Sequence, residues 1–171
     1  MDTSETQMPD RNNLPFRQKT ELFLLFGTNK VVAQDHEKYI MFPGGGVEPN
    51  ESIIKAGRRE AREEAGAVLD GGLKHVVTVD FVWHPEWASN PKRKERYAKY
   101  QGERVHIMTG KCKSLGKQDD IEDAWKGART MSISKCLKML DEYGKRDHAN
   151  TYAYRIAQHM ALRILQLGCR L

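Results

Sequence analysis

The sequence predicts a single mixed domain of the α/β, or α+β, class. Three observations predict it. Short β-rich runs and amphipathic stretches follow one another in the order strands, helix, strands, helix, the pattern of a sheet packed against helices. The 171 residues suit one domain and leave little room for a second. Hydrophobic residues form 39% of the chain and charged residues 30%, enough core-forming side chains to separate it from a disordered polymer.

Residues 1–18, with Pro9, Pro15 and many polar groups, read as a loose leader, so the domain is expected over 19–171. Residues 20–26 form a strongly apolar strand, closed by the turn Gly27-Thr28-Asn29 and answered by a second strand over 30–34. A third short strand, 39–42, stops at Pro43-Gly44-Gly45-Gly46. Asn50 is expected to cap a helix over about 51–65, and Gly66 to end it. Residues 73–84, rich in Val, Phe and Thr, predict a long strand, and 85–102, polar and basic, a loop or insertion. A strand over 104–112 precedes an acidic loop at 117–123, and 128–133 a last strand. Ser134 is the expected cap of a short helix to Tyr143. A final helix over about 147–167 sets Tyr152, Ile156, Met160, Ile164 and Leu167 on one face at helical spacing, which reads as core.

Composition also excludes classes. No apolar run approaches the roughly 18–20 residues needed to span a bilayer, so no membrane partner is expected. Residues 1–13 lack the basic-then-apolar pattern of a secretory signal. Cys112, Cys136 and Cys169 are scattered and odd in number, which fits neither a disulfide framework nor a zinc site and suits the reducing cytoplasm. The net charge of +5 is unevenly divided: residues 1–84 sum to −3 and residues 85–171 to +8. A basic half points to an acidic partner without saying whether that is nucleic acid, a membrane or a small polyphosphate.

Residues 42–67 read FPGGGVEPNESIIKAGRREAREEAGA. On a helix, Glu60, Glu63 and Glu64 fall within an arc of about 100°. Carboxylates so crowded either form a solvated face, balanced by Lys55, Arg58, Arg59 and Arg62, or await a cation. The helix offers the core little beyond Ile53, Ile54, Gly57 and Ala61, and it follows a Gly-rich loop that lets a carbonyl or phosphate approach closely. Clustered carboxylates with a nearby carbonyl are the hard oxygen donors that Mg²⁺ or Mn²⁺ takes.

The segment resembles the Nudix box. Gly45, Glu51, Arg59, Glu60, Glu63, Glu64 and Gly66 occupy all seven of its fixed positions, a match expected by chance on the order of once in a million such chains. The apolar positions hold Ala61 and Ala67 instead of larger aliphatics. The resemblance implies an α/β/α sandwich with a mixed sheet, and hydrolysis of a diphosphate linkage, commonly in a nucleoside diphosphate joined to another group. It further implies a divalent metal, Mg²⁺ or Mn²⁺, with Glu60 and Glu64 as main ligands, Glu63 as further ligand or general base, and the Gly44 carbonyl completing the shell. Arg59 and Glu51 would form a supporting ion pair. In this family the base is sometimes instead an acidic residue of a late loop; of Asp119, Asp120, Glu122 and Asp123, Glu122 is favoured here.

Recognition is less defined. Trp83 and Trp87 either stack on a base or close the edge of the core. Lys92, Arg93, Lys94, Arg96, Lys99 and Arg104, interleaved with Tyr97 and Tyr100, either grip further phosphates or an RNA backbone, or merely solubilise a loop. Of these, Arg93, Lys94, Arg96 and Trp83 are the candidate substrate contacts. His84 and His106 lack partners at ligand spacing and read as structural, and Arg155, Arg163 and Arg170 as surface. The expected partner is a small phosphorylated molecule, with nucleic acid not favoured and a homodimer open. A more highly phosphorylated substrate, such as a dinucleoside polyphosphate, a diphosphoinositol phosphate or capped RNA, is the alternative reaction. A binding module without turnover is the alternative class, but such modules are expected to lose box glutamates, and all remain here.

Overall fold

The structure, a computed structural model, describes residues 10–36, 39–118, 125–145 and 151–168. Its centre is a five-stranded sheet in the order β5-β6-β1-β2-β7. The strands are β1 (Phe16–Phe26), β2 (Lys30–Val32), β5 (Ala67–Val82), β6 (Gly102–Leu115) and β7 (Thr130–Ser132), while β3 (Gln34–Asp35) and β4 (Ile40–Met41) form a separate ribbon. β1 and β6 run parallel from Phe16 opposite Gly102 to Phe26 opposite Cys112, and the other pairings are antiparallel, so the sheet is mixed.

β1 explains the layering. Leu22 and Leu24 pack with Ala61, Ala65 and Met108 under helix α1 (Ile53–Ala65). Phe23 points the other way, into a core with Ile107, Leu140 and Leu162 beneath α3 (Ile133–Gly144) and α4 (Tyr152–Gly168). A strand covered on both faces reads as a continuous apolar run, which is why residues 22–24 show no alternation. The result is the expected α/β/α sandwich. Among the described residues no helix is long and apolar enough to cross a membrane.

Several boundaries move. β1 begins at Phe16, inside the stretch expected as leader. Ser52, not Asn50, caps α1, its hydroxyl accepting from the Lys55 N–H at 3.3 Å. Asn50 instead takes a left-handed φ of 64°, unsuited to a cap, so Glu51 lies ahead of the helix and can turn back toward it. Gly66 ends α1 in the left-handed conformation as expected. β5 starts at Ala67, six residues early, because bulges around Asp70–Lys74 absorb Gly71 and Gly72 without ending the strand. Ser132 replaces Ser134 as the cap of α3.

Two readings are corrected more deeply. Residues 85–102 are not a loop: a 3₁₀ turn at Pro85–Trp87 leads into helix α2 (Pro91–Lys99). Asn90 caps it by accepting from the Arg93 N–H at 2.9 Å, and Pro91 takes the first helical position. The face of α4 expected in the core is exposed, with Tyr152 at 70% and Ile156 at 51%. Ala157, Gln158, Ala161, Leu162 and Leu165 are buried instead, because the two alanines let the helix lie close to the sheet. Most of the acidic loop, and residues 147–150 of the last expected helix, lie outside the described residues.

Candidate active site

α1 carries the carboxylates, and the Gly44–Gly46 segment runs alongside β1 at its flank. The Thr20 N–H donates to the Gly45 carbonyl and the Leu22 N–H to the Pro43 carbonyl, each at 2.8 Å. Arg59 organises what projects from the helix. Its Nε and Nη2 grip both oxygens of Glu51 at 3.0 and 2.9 Å, and Nη2 also donates to the Gly46 carbonyl at 2.9 Å. Its Nη1 donates to Glu60 at 2.8 Å and to Glu63 at 3.2 Å. The expected Arg59–Glu51 pair is therefore formed and bidentate, and it ties the loop to the helix.

The electrostatics follow from that geometry. Hydrogen bonds from Arg59 hold Glu51 below the usual carboxylate range. Burial lifts Glu60 above it, against the opposing pull of Arg59. Glu64 is 9% exposed, and its Oε2 accepts from the Gly44 N–H at 2.9 Å.

The donor set fits a divalent cation. Glu60 and Glu63 already share one cationic group, the Nη1 edge of Arg59, and each carboxylate oxygen keeps a second lone pair. Gly45 has no side chain where a Cβ would strike the Glu60 carboxylate, at 2.5 Å from Cδ, so the loop forms a cradle for it. The carboxylates are not preassembled into a cage: among the described residues no three His, Cys, Asp or Glu side chains group as a metal site.

Two adjoining hollows of about 780 and 740 Å³ open beside the carboxylates and share Lys19, Gly44, Glu64, Arg93 and Arg96. The first extends to Gln34, His36, Tyr39, Trp125 and Tyr154. The second extends to Arg17, Glu60, Trp87 and Glu103. A family model for the NUDIX domain matches residues 9–153. The chain belongs to the Nudix family. Comparison with curated proteins gives no match. Nudix hydrolases act on pyrophosphate bonds and generally use a divalent metal.

Placement of the other candidates in this Nudix domain is uneven. Arg93 and Arg96 line both hollows. Lys94 is exposed and lines neither. Trp83 is buried and stacks on Trp87, with centroids 3.8 Å apart and planes at 9°; Trp87 is the one that reaches the cleft. Glu122 lies outside the described residues. His106 is held on the sheet by Gln18 at 2.8 Å and Thr78 at 3.0 Å, consistent with a structural role.

Residues that sequence reasoning missed lie on β1 and β6. Arg17 and Lys19 face the cleft, and Glu103 holds them at 2.9 and 3.8 Å. The Glu103 carboxylate keeps the Lys19 ammonium above the ordinary lysine value. Glu21, also on β1, accepts from the Gln158 amide at 2.8 Å and from the Tyr154 hydroxyl, joining α4 to the cleft wall. The available signal was alternation, since residues 17, 19 and 21 share one strand face.

Proposed function

We propose that this protein is a Mg²⁺-dependent pyrophosphohydrolase that cleaves the diphosphate linkage of a nucleoside diphosphate joined to another group. One observation carries the reading: Glu60 and Glu64 line a cleft that Lys19, Arg93 and Arg96 line as well. Carboxylates alone would repel a diphosphate, and cations alone would bind it without reaction.

Glu60, Glu64 and the Gly44 carbonyl would hold the metal, with Glu63 beside them. Bound there, a divalent metal supplies charge neutralisation at the phosphates and makes an attacking water more acidic. The remaining work falls to the chain. Lys19 holds the phosphate oxygens of the diphosphate and orients the bridging oxygen toward the carboxylates. Glu63, or an acidic residue of the late loop such as Glu122, takes the proton from the water. Arg59 keeps Glu60 and Glu63 in register and leaves no chemistry of its own. A nucleoside fits the first hollow, where Tyr39, 51% exposed and stacked on His36 with planes at 5°, offers an aromatic face to a base. The buried, free thiols of Cys112 and Cys136 support a cytoplasmic setting.

A panel of sugar nucleotides, dinucleotides, nucleoside triphosphates and inositol pyrophosphates, incubated with Mg²⁺ or Mn²⁺ and resolved by mass, tests this. Release of a nucleoside monophosphate from a diphosphate-linked substrate is expected. No phosphoanhydride cleavage across the panel would sink the reaction.

A further inference from the structure

Helix α2 contributes no buried residue, yet both of its ends are fastened. Asn90 caps the start. At the other end Arg11 donates to the carbonyls of Tyr97, Tyr100 and Gln101, the last two at 3.1 Å, with its guanidinium 3.2 Å from the centre of the Tyr97 ring. Trp87, stacked on buried Trp83, braces the approach and lies 5.5 Å from the Arg93 guanidinium. A helix that adds nothing to the core but is secured at both ends serves to aim its side chains.

What it aims is charge. Arg93 and Arg96, three apart and so on one face, line the cleft and form no ion pair among the described residues. On the same helix Lys99, which lines neither hollow, is paired to Glu95 at 2.7 Å. Across the second hollow, Arg17 and Lys19 share the single carboxylate of Glu103. Arg17 can lie against the Gly-rich loop only because Gly46 has no side chain: a Cβ there would sit 2.5 Å from Nη2. Four cations from two elements, β1 and α2, thus face one space with Glu103 as their one carboxylate within ion-pair distance among the described residues. One diphosphate at the carboxylate end needs fewer; all four line the second hollow, and Arg17 lies outside the first, which holds the Tyr39 face.

We infer that Arg17, Arg93 and Arg96 form a second phosphate subsite, with Glu103 as a positioning residue for Arg17. The substrate carries at least one phosphate beyond the diphosphate that is cleaved. The inference rests on the proposed reaction for which bond breaks, but the subsite's affinity for phosphate can be measured without turnover. The extra phosphate is either part of a longer phosphate chain or an ester on a sugar or other ring; the shared chemistry is a tetrahedral dianion gripped by guanidinium forks.

The test has two arms. Calorimetry without metal compares inorganic tripolyphosphate binding to wild type, Arg93→Gln/Arg96→Gln, Arg17→Gln and the matched charge control Lys99→Gln. A charge-assisted contact supports losses of about tenfold or more in the double variant and in Arg17→Gln, with Lys99→Gln within about twofold. Glu103→Gln should weaken binding, and Glu103→Asp should restore part of it. In the kinetic arm, dinucleoside triphosphate against tetra- and pentaphosphate varies the chain, and a dinucleotide against its ribose-2′-phosphate varies the ring. Wild type should favour one of the extra-phosphate members at least tenfold in kcat/KM, and the double variant should lose that advantage. Equal binding by the double variant and Lys99→Gln overturns the subsite, as does hydrolysis with no gain from any added phosphate. If tripolyphosphate binding falls as expected but nothing is hydrolysed, the subsite stands and the proposed reaction fails.

Discussion

Gly44, Gly45 and Gly46 are adjacent in sequence, none has a positive φ, and replacing each by alanine is expected to break a different thing. The need at all three is for space. The nearest atoms to a Cβ on Gly45 are those of the Glu60 carboxylate, at 2.5 Å from Cδ and 2.6 Å from Oε2. Ordinary contact is about 3.5 Å, so the carboxylate must retreat by about 1 Å, which the end of a flexible side chain can do cheaply. Stability should hold, or rise by about 0.4–1 kcal/mol through the stiffer unfolded chain. A 1 Å displacement of a catalytic carboxylate costs about 100-fold in turnover. On Gly44 the Cβ overlaps the Thr20 carbonyl and lies 2.9 Å from the Glu21 Cα. Those atoms belong to β1, at its most buried stretch, and cannot retreat. Overpacking there costs about 3 kcal/mol, a fall in Tm of about 6–12 °C. On Gly46 the Cβ displaces Arg17, so melting should be unchanged and KM should rise for substrates with an extra phosphate. Thermal melting with steady-state kinetics on the three variants separates these outcomes. A Gly45→Ala enzyme with wild-type kcat, or a Gly44→Ala protein with wild-type Tm, would refute the reasoning.

Four further outcomes are expected. Glu64→Gln should melt within a few degrees of wild type, because the amide oxygen can still accept from the Gly44 N–H, while turnover falls by orders of magnitude. Chelation should abolish hydrolysis, Mg²⁺ or Mn²⁺ should restore it, and added Mg²⁺ should raise the Tm of wild type but not of Glu60→Gln/Glu64→Gln. On α4, Leu162→Ala should cost about 2–5 kcal/mol by urea titration and Ile156→Ala less than about 1, reversing the ranking read from the larger apolar side chains. Burial pushes the Cys136 thiol up to about 12, so the thiolate is the disfavoured form below that pH. At pH 8 only about one thiol in ten thousand is ionised. Mass-resolved alkylation at pH 8 should therefore label Cys136 only after denaturation; rapid native labelling would contradict its burial.

What was legible in the sequence was local. Glu60, Glu63 and Glu64 are placed by helical periodicity, and the Arg59–Glu51 pair, eight residues apart across a single helix start, came from the resemblance to the Nudix box. The long β5 and β6 followed from composition. The misread parts needed information that spacing does not carry. α4 is apolar over most of its circumference, and the sheet accepted the face with small residues, Ala157 and Ala161, which a size-weighted reading ranks last. α2 was hidden by its charge, although Asn90-Pro91 is a helix-start signal. Arg17 and Glu103 are 86 residues apart, and only the parallel register of β1 with β6 makes them neighbours.

That register also changes what the uneven charge means. Read along the chain, an acidic N-terminal half holds the metal ligands and a basic C-terminal half receives the phosphates. In space the division is by element face. Arg17 and Lys19 come from the acidic half, on the same strand as Glu21, and their counter-ion Glu103 comes from the basic half. β1 exposes its cations toward the cleft while Phe23, on the same side of the strand farther along, enters the core. The sheet therefore presents cations to the cleft that no count by halves could assign. α2 adds Arg93 and Arg96 to the same cleft. In the proposed subsite, Arg17 on the central strand and Arg93 and Arg96 on the separately anchored helix would grip the added phosphate together. On the proposed reading, the carboxylates that serve the reaction sit on α1, and the cations that would set specificity sit on β1 and α2 of the same cleft.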